Sequence, residues 1–387
     1  MVMKIMKMGH LNNRQFFLSV STLIGTVIGI GIFGVPFVFA KSGFLTGVLF
    51  LILLTAITLI IHLAFGEIIL RTNGNHQITG YAEAYLGSKW KKIVLFSFVM
   101  GIYSALLAYI IISGDFLTNI LSVTSTSFQS ATLSTVFFLI LSVLLLAGLK
   151  NISWIEFFMS LGLIGLTFLV LGFGLPKINF GGITFFRKEF FFLPYGVLFF
   201  ALRGSPAIPL QREILEGKEE YLKKSILLGT LIPAVIYLLF AFVVVGVSGE
   251  NTSPEAVSGL LNILGFPVVF LLSIFGFLSI STSFLGLGTA LTEMFQHDFH
   301  LSKPIAWLLT IIPPYFLFFS GTRNFIDVIN LSGAVAIGVE SIVFVFLYQK
   351  IKDKGHRIPE YSLHLPTWIW YAMIGLFSFG IVYTLMF

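Results

Sequence analysis

Cysteine is absent from the 387 residues, which excludes disulfides, thiolate metal sites and a cysteine nucleophile. Charge is nearly as scarce: Asp, Glu, Lys and Arg make up 10% of the chain, where a soluble domain carries about a quarter. There is no HExxH, no aspartate-rich diphosphate site and no phosphate-cradling loop with its lysine. These absences speak against zinc-hydrolase chemistry and against an ATP-driven pump. The longest polar connections, Asn73 to Lys92 and Lys350 to Leu365, fall far short of a domain with its own core.

What remains is hydrocarbon. Hydrophobic residues are 57% of the chain and mean hydropathy is +0.99, the composition of an integral membrane protein. Lys and Arg number 23 against 17 Asp and Glu, but they lie between apolar segments and form no basic face. The partner implied is therefore a lipid bilayer and not a nucleic acid. The 44 phenylalanines suit lipid-facing and inter-helix packing. The run Phe16 to Ala40 behind Lys4, Lys7 and Arg14 is too long for a signal-peptide core and lacks a cleavage box.

Windows of about 20 apolar residues predict eleven helices, near 15–40, 44–70, 92–114, 131–149, 152–175, 189–211, 222–247, 262–292, 304–320, 325–349 and 366–387. The runs are too long for the tilted strands of a barrel, about ten residues each. The expected fold is thus all-α integral membrane, one transmembrane domain over 1–387 with 11 transmembrane helices. Basic residues cluster in alternate connections, Arg71 to Lys92, Arg212 to Lys224 and Lys350 to Arg357. Lys150 and Lys303 fall on the same side as these, and the connections on the other side hold only Lys41, Lys177, Arg187, Lys188 and Arg323. The positive-inside rule then puts the N-terminus in the cytoplasm and the C-terminus outside, in the cell membrane.

Two expected spans carry the means of their own interruption. The first contains "GTVIGIGIFGVP", Gly25 to Pro36, and the sixth "PYGVLFFALRGSPAIPLQRE", with Gly204, Pro206 and Pro209 near its middle. Two prolines three apart remove amide donors and clash with the preceding turn, so no unbroken helix runs from Arg203 to Pro209. Five is odd, so a second block of five helices enters the membrane from the opposite side. Segments 15–175 and 189–349 can then form inverted repeats, with 366–387 appended. Lipid cannot satisfy loose backbone groups, so the breaks make sense if those groups are held for a ligand. GxxxG packing of Gly25 and Gly29 is the plainer alternative for the first span.

Polar residues inside spans are costly and mark function. In "LSISTSFLGLGTALTEMF", Ser279, Thr282, Ser283 and Gly286 share one helix face. This stripe is expected to face the first break and offer oxygen ligands to a cation or bonds to substrate, although such hydroxyls often bond only their own helix. Arg203 is the sharpest anomaly. It is expected to fix a substrate carboxylate or to neutralise an internal acid, with Glu340 the best embedded candidate, Asp115 near the outer end of span three, and Glu67 and Glu156 nearer the interfaces. A carboxylate such as Glu340 is a natural proton carrier; His62 is a weaker candidate. Tyr103 and Tyr109 of span three each need a partner for their hydroxyl, which a ligand could supply.

The segments "GTVIGIGIFGVPFVFAKSGF", "ITGYAEAYLG", "YIIISGDFL", "STSFLGLGTALTEMFQ" and "IIPPYFLFF" resemble, in the same order, those of the aromatic and hydroxy amino acid permeases. These are tyrosine and tryptophan transporters of the amino acid, polyamine and organocation superfamily. The resemblance implies a LeuT-type 5+5 inverted repeat with discontinuous helices 1 and 6, and proton-coupled symport of an aromatic or other neutral amino acid by alternating access. It places substrate at Gly29, Ile30, Gly31, Ile32 and Phe33, opposite Leu202, Arg203, Gly204 and Ser205, with Tyr103 and Tyr109 nearby. Ion coupling falls to Ser279, Thr282, Ser283 and Glu340. The partners implied are an amino acid and a coupling cation, proton or else sodium; no cofactor and no resident metal is implied. The chain departs from the family at Arg203, where members tend to carry a histidine. A permanent cation there leaves a sodium-coupled carrier or one for acidic amino acids as the alternative.

A different class, an intramembrane serine protease, would use "GVSG", Gly246 to Gly249. No histidine on a nearby helix end stands ready to activate Ser248, so the expectation is a carrier and not an enzyme.

Overall fold

A computed structural model describes residues 2–74, 76–122, 129–147 and 152–387. Among them every regular element is helical. The chain runs α1 (Val2–Val27), α2 (Gly31–Ser42), α3 (Phe44–Arg71), α4 (Ile78–Leu86), α5 (Ser88–Leu121), α6 (Ser130–Ala147) and α7 (Ile152–Gly174). It continues through α8 (Leu193–Ala201), α9 (Ile208–Ile214), α10 (Leu222–Ser248), α11 (Leu261–Leu264), α12 (Phe266–Asp298) and α13 (Lys303–Phe319). Finally come α14 (Phe325–Leu331), a π-helical segment Ser332–Ile337, α15 (Gly338–Lys354) and α16 (Thr367–Met386).

Seven helical stretches among the described residues are long and apolar enough to cross a membrane. An eighth is the pair Arg14–Val27 and Gly31–Ser42, bent by 54° at a short break. The other expected spans are shorter apolar helices, Ile164–Lys177 and Lys303–Phe319, and the interrupted pair α8 and α9. The surface explains the composition. On α6 the exposed residues Val136, Leu139, Ile140 and Val143 form one stripe, while Leu133, Phe137, Leu141 and Leu145 turn inward. Both faces are apolar, so sorting between lipid and protein follows packing and not polarity.

The interior is organised around the two interrupted spans. Helix α2 packs on α8 and α10, α3 on α10, and α5 on α12; α6 and α13 flank α5, α7 packs on α12 and α10, and α16 covers α15. Small residues set the closest approaches. A Cβ at Gly333 would stand 1.8 Å from the Gly196 carbonyl oxygen, and one at Gly196 would stand 2.2 Å from the Asn330 carbonyl oxygen. Main chain therefore rests on main chain where the π segment crosses α8. The turn from α2 to α3 needs glycine for a second reason. Gly43 has φ of 96° and lies against the Phe185–Phe186 backbone, 2.5 Å from where its Cβ would be.

Proline placement follows the same economy. Pro206 and Pro209 sit in the first turns of a 3₁₀ segment and of α9, where a missing N–H leaves nothing unpaired. Pro313 lies inside α13 and denies a partner to the carbonyl four residues earlier. The Tyr103 hydroxyl, arriving from α5, donates to that Leu309 carbonyl at 2.7 Å.

Candidate functional site

The first break spans Ile28 to Ile30, with Gly31, Ile32 and Phe33 opening α2. The second spans Leu202 to Gly204, with Ser205 opening the 3₁₀ turn. They meet in the middle of the bundle. A Cβ at Gly31 would stand 2.5 Å from the Ala201 Cα, and one at Gly204 2.5 Å from a Leu23 methyl and 2.8 Å from a Val27 methyl. The Tyr237 hydroxyl of α10 lies 2.6 Å from the Val27 carbonyl and 3.0 Å from the Ala201 carbonyl. Its single proton thus serves the last carbonyl before each break.

His62 of α3 holds the second break from the other side. The Gly204 amide donates to Nε2 at 3.2 Å, so the neutral ring carries its proton on Nδ1, which lies 2.9 Å from the Thr230 hydroxyl. An amide freed by the break is thereby paired, and both ring nitrogens are spent.

Arg203 meets an internal acid. Its Nη2 donates to Glu340 Oε2 at 2.7 Å, and the Ser205 hydroxyl donates to Glu340 Oε1 at 2.7 Å. Glu340 stands three residues past the π segment, whose Ala336 carbonyl accepts from the Ser97 hydroxyl at 2.5 Å. The rest of the guanidinium is lightly used. Nε has no hydrogen-bond partner among the described residues, and Nη1 passes 3.0 Å from the Cβ position of Gly101 on α5. Thr58, Ile61, His62, Phe199, Ser205, Ile337, Ser341 and Phe344 complete the lining of a cavity of about 10 Å³ beside the pair, room for about one water.

The remaining expected residues divide. Phe33 packs edge-on against Phe116 at 5.0 Å, and Tyr109 is buried in the core. Tyr103 is not at the breaks in this conformation; its hydroxyl is committed to α13. On α12, Thr282 donates to the Ser279 carbonyl of its own helix at 2.9 Å, while Ser283 is half-buried. This helix approaches the first span one turn earlier, at Gly276, whose Cβ position is 3.1 Å from the Phe33 ring. Asp115 accepts from Ser130 at 2.9 Å. The side chain of Glu156 lies outside the described residues. Ser248 donates to the Val244 carbonyl and contacts Thr252, local bonds that leave it no nucleophilic role.

Glu67, expected near an interface, is completely buried. Oε1 accepts from Arg71 Nε at 2.9 Å, and Oε2 accepts from the Tyr348 hydroxyl at 2.9 Å and the Leu363 amide at 2.7 Å. These bonds clamp the connector between α15 and α16 onto α3. Tyr361 in that connector donates to the Leu63 carbonyl at 2.7 Å. Burial, and then the Glu67 and Tyr348 groups beside it, push its hydroxyl well above the ordinary tyrosine range.

Comparisons with known proteins bear on the family and on the fold. The profile of the tryptophan/tyrosine permease family matches residues 12–385. "Glutamine transporter 2" of Aliivibrio fischeri (strain ATCC 700601 / ES114) is 24% identical over 364 residues, covering 92% of this chain and 94% of that protein. "Tyrosine-specific transport system 1" of Haemophilus influenzae (strain ATCC 51907 / DSM 11121 / KW20 / Rd) is 26% identical over 360 residues, covering 88% and 89%. The solved structure of MhsT in complex with L-phenylalanine superposes with a TM-score of 0.64 at 14% identity, over 95% of this chain and 97% of that one. At that identity it speaks for the fold alone.

Proposed function

The chain belongs to the tryptophan/tyrosine permease family, and from that premise we propose that it is a secondary active amino acid transporter, a proton symporter working by alternating access. Its substrate is an aromatic or other neutral amino acid. The observation that carries this reading is the contact of the two breaks, Gly31 on Ala201 with Tyr237 bonded to both. A membrane chain exposes main-chain dipoles in its interior only where something is to be bound. The amino and carboxyl groups of the substrate lie along Gly29 to Phe33 and Leu202 to Ser205, with Tyr109 behind them. Tyr103 joins them only if it leaves α13.

The same reading takes α7, α13 and the α8–α9 pair as crossings, eleven in all, with a cytoplasmic N-terminus and an outward C-terminus. Contacts between elements five spans apart, α2 with α8, α3 with α10 and α5 with α12, are what two inverted repeats about an in-plane axis require. Glu340 is the proton carrier. Ser279, Thr282 and Ser283 serve the cation if sodium couples instead. Because Arg203 is already neutralised by Glu340, a neutral amino acid is favoured over an acidic one.

Reconstituted protein tests this directly through counterflow and net uptake across the common amino acids, at two pH values, with and without sodium. An inward proton gradient should drive accumulation and sodium should change nothing. Failure to exchange any amino acid would overturn the reading.

A further inference from the structure

The geometry points to Arg203 as a shared cation, paired with Glu340 while that carboxylate is ionised and handed to the carboxylate of the amino acid when Glu340 takes a proton. This rests on the carrier reading above and deepens it by assigning how proton and substrate are linked. Three observations converge. Arg203 lies within the second break itself, so its main chain and its head group serve the same site. Its Nε is buried without a partner among the described residues, and of the other donors only Nη2 is bonded, to Glu340. A buried donor left unpaired carries a desolvation cost, which a carboxylate ligand removes because guanidinium binds carboxylates through two parallel N–H groups. Finally, Nη1 points to Gly101, where the absence of a side chain leaves the guanidinium free on the α5 side.

Nothing else in the cavity titrates in its place. Its lining holds Arg203, Glu340 and His62 as ionisable groups, and His62 has both nitrogens engaged, by Gly204 and Thr230. From the elements packed around Glu340, α5 brings Ser97 and Gly101, α16 brings Trp370, Met373 and Phe377, and α8 brings Tyr195, turned toward Gly380. On α4, Tyr81 faces His76, and Tyr85 bonds Thr72. Glu67 is spent on Arg71, Tyr348 and Leu363.

The charges balance at each stage. With Glu340 ionised, the pair is neutral and Arg203 is taken. A proton from the outer solution adds to Oε2, the Nη2–H···Oε2 contact opens, and the neutral acid keeps its contact with Ser205. The substrate carboxylate then neutralises Arg203. On the inner side the substrate leaves, the proton follows, and the original pair closes again. One permanent cation serves one carboxylate, so a second carboxylate on the substrate would find no partner, and L-glutamate is excluded.

The experiment measures equilibrium binding to purified full-length protein of L-tyrosine, L-tryptophan and L-glutamine, each with its amine lacking the carboxylate (tyramine, tryptamine and 4-aminobutanamide), after counterflow identifies which amino acid is exchanged. Binding of that amino acid should weaken as pH rises, by up to about tenfold per pH unit, because one proton enters with it. The amine should bind about tenfold to a hundredfold more weakly at low pH, and this deficit should shrink as pH rises. In E340Q the amino acid should bind tightly at every pH, with proton-driven accumulation lost. An unchanged pH dependence in E340Q, or an amine deficit constant with pH, would overturn the handover while leaving a carrier. Should E340Q not fold, the amine series on the wild-type chain decides alone. Absence of counterflow for every amino acid would instead overturn the carrier reading and take the handover with it.

Discussion

Glu67 and Glu340 are both carboxylates sealed in an apolar bundle, and both face an arginine, yet their surroundings differ. Glu67 has three fixed donors, one of them a backbone amide, and its arginine lies one turn away on the same helix. Glu340 has two, its arginine belongs to another span, and that arginine keeps donors in reserve beside a cavity. A saturated ion pair fastens chain to chain, whereas an unsaturated one is available for exchange. Burial alone does not separate the two; the count of unspent donors does.

The largest effect should come from Glu67→Ala, which strips the Leu363 amide and Arg71 Nε of their acceptor, leaves the half-buried Arg71 charge without a counter-ion and should cost about 3–5 kcal/mol of stability. Thermal unfolding in detergent measures the loss, and proteolysis within 355–366 reports release of the connector. Intact behaviour of this variant would erase the contrast.

A double-substitution cycle sharpens it. Replacing Arg203 and Glu340 together by glutamine should recover most of the stability lost by Glu340→Gln alone, since no uncompensated charge remains. Replacing Arg71 and Glu67 together should recover less, because Tyr348 and Leu363 still lack the carboxylate. Equal recovery at the two sites would break the comparison.

Two tyrosines repeat the contrast on a smaller scale. Tyr237→Phe frees the terminal carbonyls of both breaks and should cost about 1–2 kcal/mol, with slower counterflow. Tyr103→Phe should cost about 1 kcal/mol or less, for one carbonyl inside α13, with half-saturation for the transported amino acid unchanged. A large shift in half-saturation would return Tyr103 to the breaks as a ligand contact.

Both interruptions were legible because their causes are local. Glycine lowers helix propensity at 29 and 31, and prolines at 206 and 209 withhold amide donors, in the chain itself. Arg203 and Glu340 stood out for a similar reason, a charge in an apolar run, and Glu340 was the foremost candidate partner among four acids; the fold pairs the two. His62, Thr230 and Tyr237 were less visible as a group because their roles depend on helices separated by up to 210 residues in sequence. The π segment gave no compositional sign, since an extra residue in a helical turn alters neither hydropathy nor period enough to read. Tyr103 illustrates the converse: its hydroxyl needed a partner that a ligand could supply, and finds one in the Leu309 carbonyl that Pro313 leaves open on another helix.

The contact of Gly31 with Ala201 has a mechanical consequence. With a hydrogen on one surface and at most a methyl on the other, the two spans come together at this point with no side chain between them. Any bulk added at position 31 would therefore wedge the two halves apart at the place where their chains are thinnest.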